Sequence, residues 1–149
     1  MGFFLGPKGY IFVEGPGGTS GHKITARGFD GVAYNHGTRH LIIYDNKAFG
    51  FSGNVSSATS IDLKKNLAGN LNRLIQKINK MMDLPNKHEI LDLLCRTRAS
   101  IEGGTRWPTN VQIAISNASG QSSGVSQRLA RSGIEFIDYQ SAMRTLRGE

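Results

Sequence analysis

The chain has 149 residues, of which 38% are hydrophobic and 19% charged, a balance that suits one globular domain over residues 1–149 with a sizeable core. Lysine and arginine outnumber aspartate and glutamate 18 to 11, for a net charge of +7, and this surplus favours an anionic partner, nucleic acid ahead of an anionic membrane. The one cysteine excludes an internal disulfide framework and a cysteine-based zinc site, and no apolar run nears the roughly 20 residues that span a bilayer.

In chain order, Met1 to Pro7 lacks the charged start and long apolar core of a signal peptide, so secretion would rest on other machinery or on a larger parent chain. Tyr10-Ile11-Phe12-Val13-Glu14 reads as a short strand. Gly15 to Gly21, with four glycines and Pro16, reads as a loop. A hairpin follows over roughly 23–49, with Asn35-His36-Gly37-Thr38 as turn formers between two β-like runs. Phe49 to Ser57 is a Gly- and Ser-rich loop. Ser60 is an N-cap with Asp62 in the first turn, and Leu67, Leu71, Leu74, Ile75, Ile78 and Met82 recur at helical spacing. Arg73, Lys77 and Lys80 share another face of that helix, a stripe suited to phosphates or to plain solvation. Pro85 stops the helix and a second runs from Lys87 to Ser100, with Cys95 as a buried thiol. Val111 to Ile115 alternates as a strand, Ser122 to Arg131 reads as helix and Ile134 to Ile137 as a last strand. A short helix or frayed end closes the chain from Ser141. The order predicts a mixed central sheet flanked by helices.

The chemistry concentrates in the hairpin. A turn centred on Gly37 and Thr38 sets Asp30 of Gly28-Phe29-Asp30-Gly31-Val32 directly opposite Asp45 of Ile42-Ile43-Tyr44-Asp45-Asn46-Lys47. Asp45 and Lys47, two apart on one strand, leave the same face. Like charges facing each other are destabilising, and a divalent cation between them removes the penalty. Hard oxygen ligands select Mg²⁺ or a similar ion, which polarises a phosphoryl oxygen and acidifies water. Lys47 is placed to orient or deprotonate that water, or to steady negative charge on a phosphate. The alternative for the spacing alone is a surface hairpin with an ordinary Asp–Lys pair.

These two segments resemble the core of the PD-(D/E)XK nuclease superfamily, in particular the nuclease domains at the C-termini of bacterial polymorphic toxins. That family places an acid on one strand and an acid-x-lysine motif on the next. The resemblance covers roughly residues 10–140 and implies an α/β, three-layer restriction-endonuclease-like core. It implies Asp30, Asp45 and the backbone carbonyl of Asn46 as ligands of Mg²⁺ or Mn²⁺, with Lys47 activating water. It further implies an endonuclease toxin, delivered as part of a larger secreted protein, acting in the target-cell cytoplasm and matched by an acidic immunity protein. DNA is the expected substrate, with tRNA cleavage and non-catalytic nucleic-acid binding as alternatives. The family's additional acid on a preceding helix has no clear counterpart; Glu14, at a strand end, is the nearby acid.

The remaining motifs carry less. Gln112, on the strand after the helices, faces either the site or an ordinary sheet surface. Gly17-Gly18-Thr19-Ser20-Gly21-His22-Lys23 fails as a P-loop, because His22 separates Gly21 from Lys23 and a strand follows. Its glycines still allow backbone N–H groups to approach a phosphate, and His22 stands at the strand entrance. His36 and His40 flank a turn, where a four-residue spacing does not align two zinc ligands. Trp107 beside Arg106 reads as a packing residue before a base-stacking one.

Overall fold

A computed structural model describes residues 2–16, 29–45 and 60–115 together with 144 and 146; the side chains of 45, 60–66 and 115 fall outside that description. Within it the strands are β1 (Phe3–Leu5), β2 (Tyr10–Glu14), β3 (Gly31–Asn35), β4 (His40–Asp45) and β5 (Val111–Ile115). The helices are α1 (Ser60–Asn79) and α2 (Lys87–Gly103). The five strands form one mixed sheet in chain order. The pairs from β1 to β4 are antiparallel and β4–β5 is parallel. A parallel neighbour needs a crossover of a dozen or more residues, and α1 and α2 lie within it. This is an α+β arrangement rather than the expected α/β one: four sequential strands pair as a meander and both helices come after them.

Alternation along the strands divides the sheet into two faces. Ile11, Val13, Val32, Tyr34, Leu41, Ile43, Val111 and Ile113 share one core with Leu67, Leu71, Leu74 and Ile78 of α1 and Ile90, Leu93, Leu94 and Ile101 of α2. Phe12, Ala33, Ile42 and Ala114 form the second face, where Leu146 is fully buried. Phe4 stacks flat on Phe12 there, ring centroids 4.8 Å apart, yet stays largely exposed at the β1 end of the sheet.

The β3–β4 register runs from Asn35↔His40 to Gly31↔Tyr44, as a turn centred on Gly37 and Thr38 requires. The Asn35 Oδ1 accepts from the N–H groups of Gly37 (2.9 Å) and Thr38 (3.2 Å), so its side chain builds the turn. The left-handed residue is Arg39 (φ 57°), not the glycine. At the other end of the molecule Lys87 Nζ donates to the carbonyls of Asn79 and Met81, closing the end of α1. The helix thus stops at Asn79, before Met82, which is 92% exposed and does not join the apolar face expected of it. The second helix runs three residues past the expected Ser100, to Gly103, and ends where Gly104 turns left-handed at φ 70°. Cys95 is half-buried rather than enclosed. Trp107 packs on the core and its Nε1–H donates to the Val111 carbonyl, 3.2 Å, as a packing residue does.

Candidate functional site

The predicted acids meet the sheet at one end. Asp45 closes β4, in parallel register with Ile115, and Asp30 immediately precedes β3. Asn46 and Lys47 lie outside the described residues, as do His22 and the Gly17–Lys23 loop, the ends of the expected hairpin at 23–28 and 46–49, and the elements expected over 122–137.

The hairpin register does not continue unbroken to the acids. Gly31 pairs with Tyr44, but the Asp30 N–H also goes to the Tyr44 carbonyl, 3.1 Å, so two residues of one strand face one of the other. That is a β-bulge. Its effect on alternation is visible one residue upstream. Phe29 and Gly31 are two apart and would share a face in a flat strand, yet Phe29 is fully buried in the helix-side core. Tyr44, the partner of Gly31, belongs to the second face. Asp30 is therefore the extra residue, taken out of the simple alternation that would align it with Val32. The expectation of a direct Asp30–Asp45 pair in flat register is corrected accordingly: Asp30 is the bulged residue, opposite Tyr44, and the backbones of the two acids lie at the same end of the sheet. Sequence periodicity cannot reveal this, because a bulge is set by what its neighbours accept.

Two glycines make the bulge fit. A Cβ on Gly15 would lie 2.3 Å from the Phe29 carbonyl oxygen, and one on Gly31 would lie 2.5 Å from both the Tyr44 hydroxyl and the Val13 carbonyl oxygen. Both positions need close backbone or ring approach that no side chain permits. The Gly15 N–H donates to the Asp30 carbonyl (2.7 Å), and the Gly15 carbonyl accepts from Lys77 Nζ of α1 (3.0 Å). Lys77 was expected on a phosphate-facing stripe with Arg73 and Lys80. Arg73 and Lys80 are exposed, Arg73 donating to Asn70 Oδ1 (3.0 Å), whereas Lys77 is half-buried and turned onto β2. The signal for this was present: position 77 sits between Leu74 and Ile78, at the border of the apolar face of α1.

The other predicted residues take different places. Glu14, in register with Gly31, shares the face of Phe12 and is half-buried. Gln112 pairs with Ile42 and so belongs to that same second face, away from α1 and α2. Among the described residues no three His, Cys, Asp or Glu side chains form a metal cage; the side chain of Asp45 and all of Asn46 are not among them. Two carboxylates with a backbone carbonyl are the hard, partial donor set that suits a cation keeping several of its waters.

A second polar cluster escaped the sequence reading. Tyr34, fully buried, donates from its hydroxyl to Glu89 Oε2 in the first turn of α2, 2.6 Å. His36 Nδ1 lies 3.4 Å from the same oxygen and 3.0 Å from Asn86 Nδ2. Burial, then the Glu89 hydrogen bond and its negative charge, push the Tyr34 hydroxyl up to about 12. The Tyr34 hydrogen bond, with His36 and Arg39 contributing, holds the Glu89 carboxyl below its ordinary value, against the opposing effect of burial. The cluster ties the hairpin turn to the start of α2, at the opposite end of β3 from Asp30.

No family model, characterised protein or solved structure matches this chain. No helix among the described residues is long and apolar enough to cross a membrane.

Proposed function

We propose that this chain is a metal-dependent endonuclease that hydrolyses phosphodiester bonds, a toxin domain of the PD-(D/E)XK kind. The observation that carries the reading is the placement of two acids, Asp30 and Asp45, at the same end of adjacent strands in a mixed sheet backed by helices. The bulge at Asp30 adds support, since bulges recur beside active sites, where they re-aim a side chain. Leu146, a helical residue buried on the second face, supports a third layer and hence the restriction-endonuclease-like architecture.

In this reading Asp30, Asp45 and the Asn46 carbonyl hold Mg²⁺ or Mn²⁺, which when bound supplies Lewis acidity and an acidified water. Lys47 accepts a proton from the attacking water or steadies charge on the phosphate as it forms. The net charge of +7 draws the polyanion, with DNA as the first substrate and tRNA as the second. The domain acts in the target-cell cytoplasm after delivery within a larger toxin, and an acidic immunity protein blocks it in the producer.

The test is cleavage of plasmid DNA and of total tRNA, side by side, with and without added Mg²⁺. Asp45→Ala and Lys47→Ala each abolish cleavage while circular dichroism and the unfolding midpoint are retained. Full activity in either purified variant rejects the assignment. The same charge also favours a binding module without catalysis, and EDTA separates the two: retained binding with no chelator-sensitive scission selects the module.

A further inference from the structure

A regular antiparallel ladder would have Gly15 and Asp30 exchange both of their hydrogen bonds. The pairs Val13↔Val32 and Ile11↔Tyr34 are in the same register and parity. One of the two bonds is present, from the Gly15 N–H to the Asp30 carbonyl at 2.7 Å. The other is not made, because the bulge turns the Asp30 N–H away to the Tyr44 carbonyl. A carbonyl deprived of its donor in a half-buried corner is costly, and such groups are almost always satisfied. Here the replacement donor is the ammonium of Lys77, 3.0 Å from the Gly15 oxygen. It comes from the last turn of α1, the helix that Leu74 and Ile78, both fully buried in the shared core, anchor against the sheet.

We propose that Lys77 is the positioning residue of the acidic site: by substituting for the Asp30 N–H at the Gly15 carbonyl, it holds the bulge that aims Asp30. The inference rests on the nuclease reading for what Asp30 does, but not for how Lys77 holds it. Without the ammonium, the protein donor that can restore the bond to the Gly15 carbonyl is the Asp30 N–H, swung back into flat register. That slip would carry Phe29 out of the helix-side core, since a one-residue change of register exchanges the faces. The strand end then samples two arrangements instead of one.

Three proteins test this: wild type, Lys77→Met, which keeps an apolar stem, and Lys77→Arg, which keeps a cationic donor. Native-state amide exchange is read at Asp30 and Gly31, with Val32 and Ala33 as internal controls for global opening. Lys77→Met raises exchange at Asp30 at least tenfold beyond any change at the controls, and Lys77→Arg restores most of the protection. Under saturating Mg²⁺, Lys77→Met lowers kcat at least tenfold with KM within twofold, and Lys77→Arg recovers it. Unchanged protection of Asp30 in Lys77→Met overturns the proposal. So does loosened exchange accompanied by wild-type cleavage, which would leave Lys77 a fastener of the strand alone. If wild type cleaves neither DNA nor tRNA, the nuclease reading fails while the exchange comparison still decides whether Lys77 holds the bulge. Should Lys77→Met not fold, the wild type supplies the decisive measurement. A through-hydrogen-bond NMR coupling between Lys77 Nζ and the Gly15 carbonyl is expected, and its absence overturns the proposal.

Discussion

Tyr34 shows how one residue can link two elements through protonation. Its hydroxyl is fully enclosed and donates to Glu89, so each group shifts the other in the direction that preserves the bond. The sign of the pH dependence follows from which state releases protons first. The Glu89 carboxyl is lowered in the folded chain from 4.5, so its contribution is whole above 4.5 and is lost as pH falls through the folded value. Tyr34 is raised from 10.0 to about 12, so its contribution is whole below 10.0 and is lost as pH rises toward about 12. Tyr34→Phe removes the largest cause of the Glu89 shift and the phenolic proton together. Relative to wild type, the variant should show a shallower loss of stability in acid and no Tyr34 contribution to the alkaline loss. Urea unfolding across both pH ranges measures it. Equal slopes for the two proteins would mean that the bond does not persist in solution.

At the scale of elements, α1 lends itself to a direct comparison of buried and exposed positions. Leu71 is fully buried between α1 and the sheet, and Leu71→Ala should cost about 2–5 kcal/mol, the range for emptying a packed core site. Met82 lies three residues past the end of the helix and is exposed, so Met82→Ala should stay within about 0.5 kcal/mol of wild type. Chemical denaturation of both variants checks the pair, and similar losses would contradict the boundary at Asn79. Periodicity alone put both residues on one apolar face; what separates them is Lys87 capping the helix early, a contact from the next element. The same division runs through the fold. The hairpin register was legible because Asn35 builds its turn locally, and Tyr10–Glu14 and Val111–Ile115 were legible because their runs are long enough to show a pattern. β1 was not, since Phe3–Leu5 is too short for a period and sits between Gly2 and Gly6. Nor was the bulge at Asp30, which lies against Gly15, whose carbonyl Lys77 reaches from 62 positions away in the chain. The place of Asp30 and Asp45 at one end of the hairpin was thus readable in the sequence, while the bulge at Asp30 belongs to tertiary contacts.

For the whole molecule, the charge of +7 makes a quantitative statement about binding once the basic residues are sorted by what they touch. Arg73 on α1 and Lys80 just past its end are exposed, whereas the Lys77 ammonium is bonded to the Gly15 carbonyl. A cation that contacts a phosphate displaces counterions, and each such contact adds roughly 0.9 to the slope of log affinity against log salt on duplex DNA. In an Asp45→Ala background, which binds without cutting under the proposed reading, affinity should fall steeply as salt rises. Adding Arg73→Ala and Lys80→Ala together should reduce the magnitude of that slope by roughly 1.8, two phosphate contacts' worth. Adding Lys77→Met instead should leave the slope unchanged, because its half-buried ammonium is bonded to the Gly15 carbonyl. Fluorescence anisotropy with a labelled duplex over a salt series measures all three. A double variant with the parental slope would move the phosphate-binding surface off this helix, and a reduced slope for Lys77→Met would return its ammonium to the nucleic-acid face.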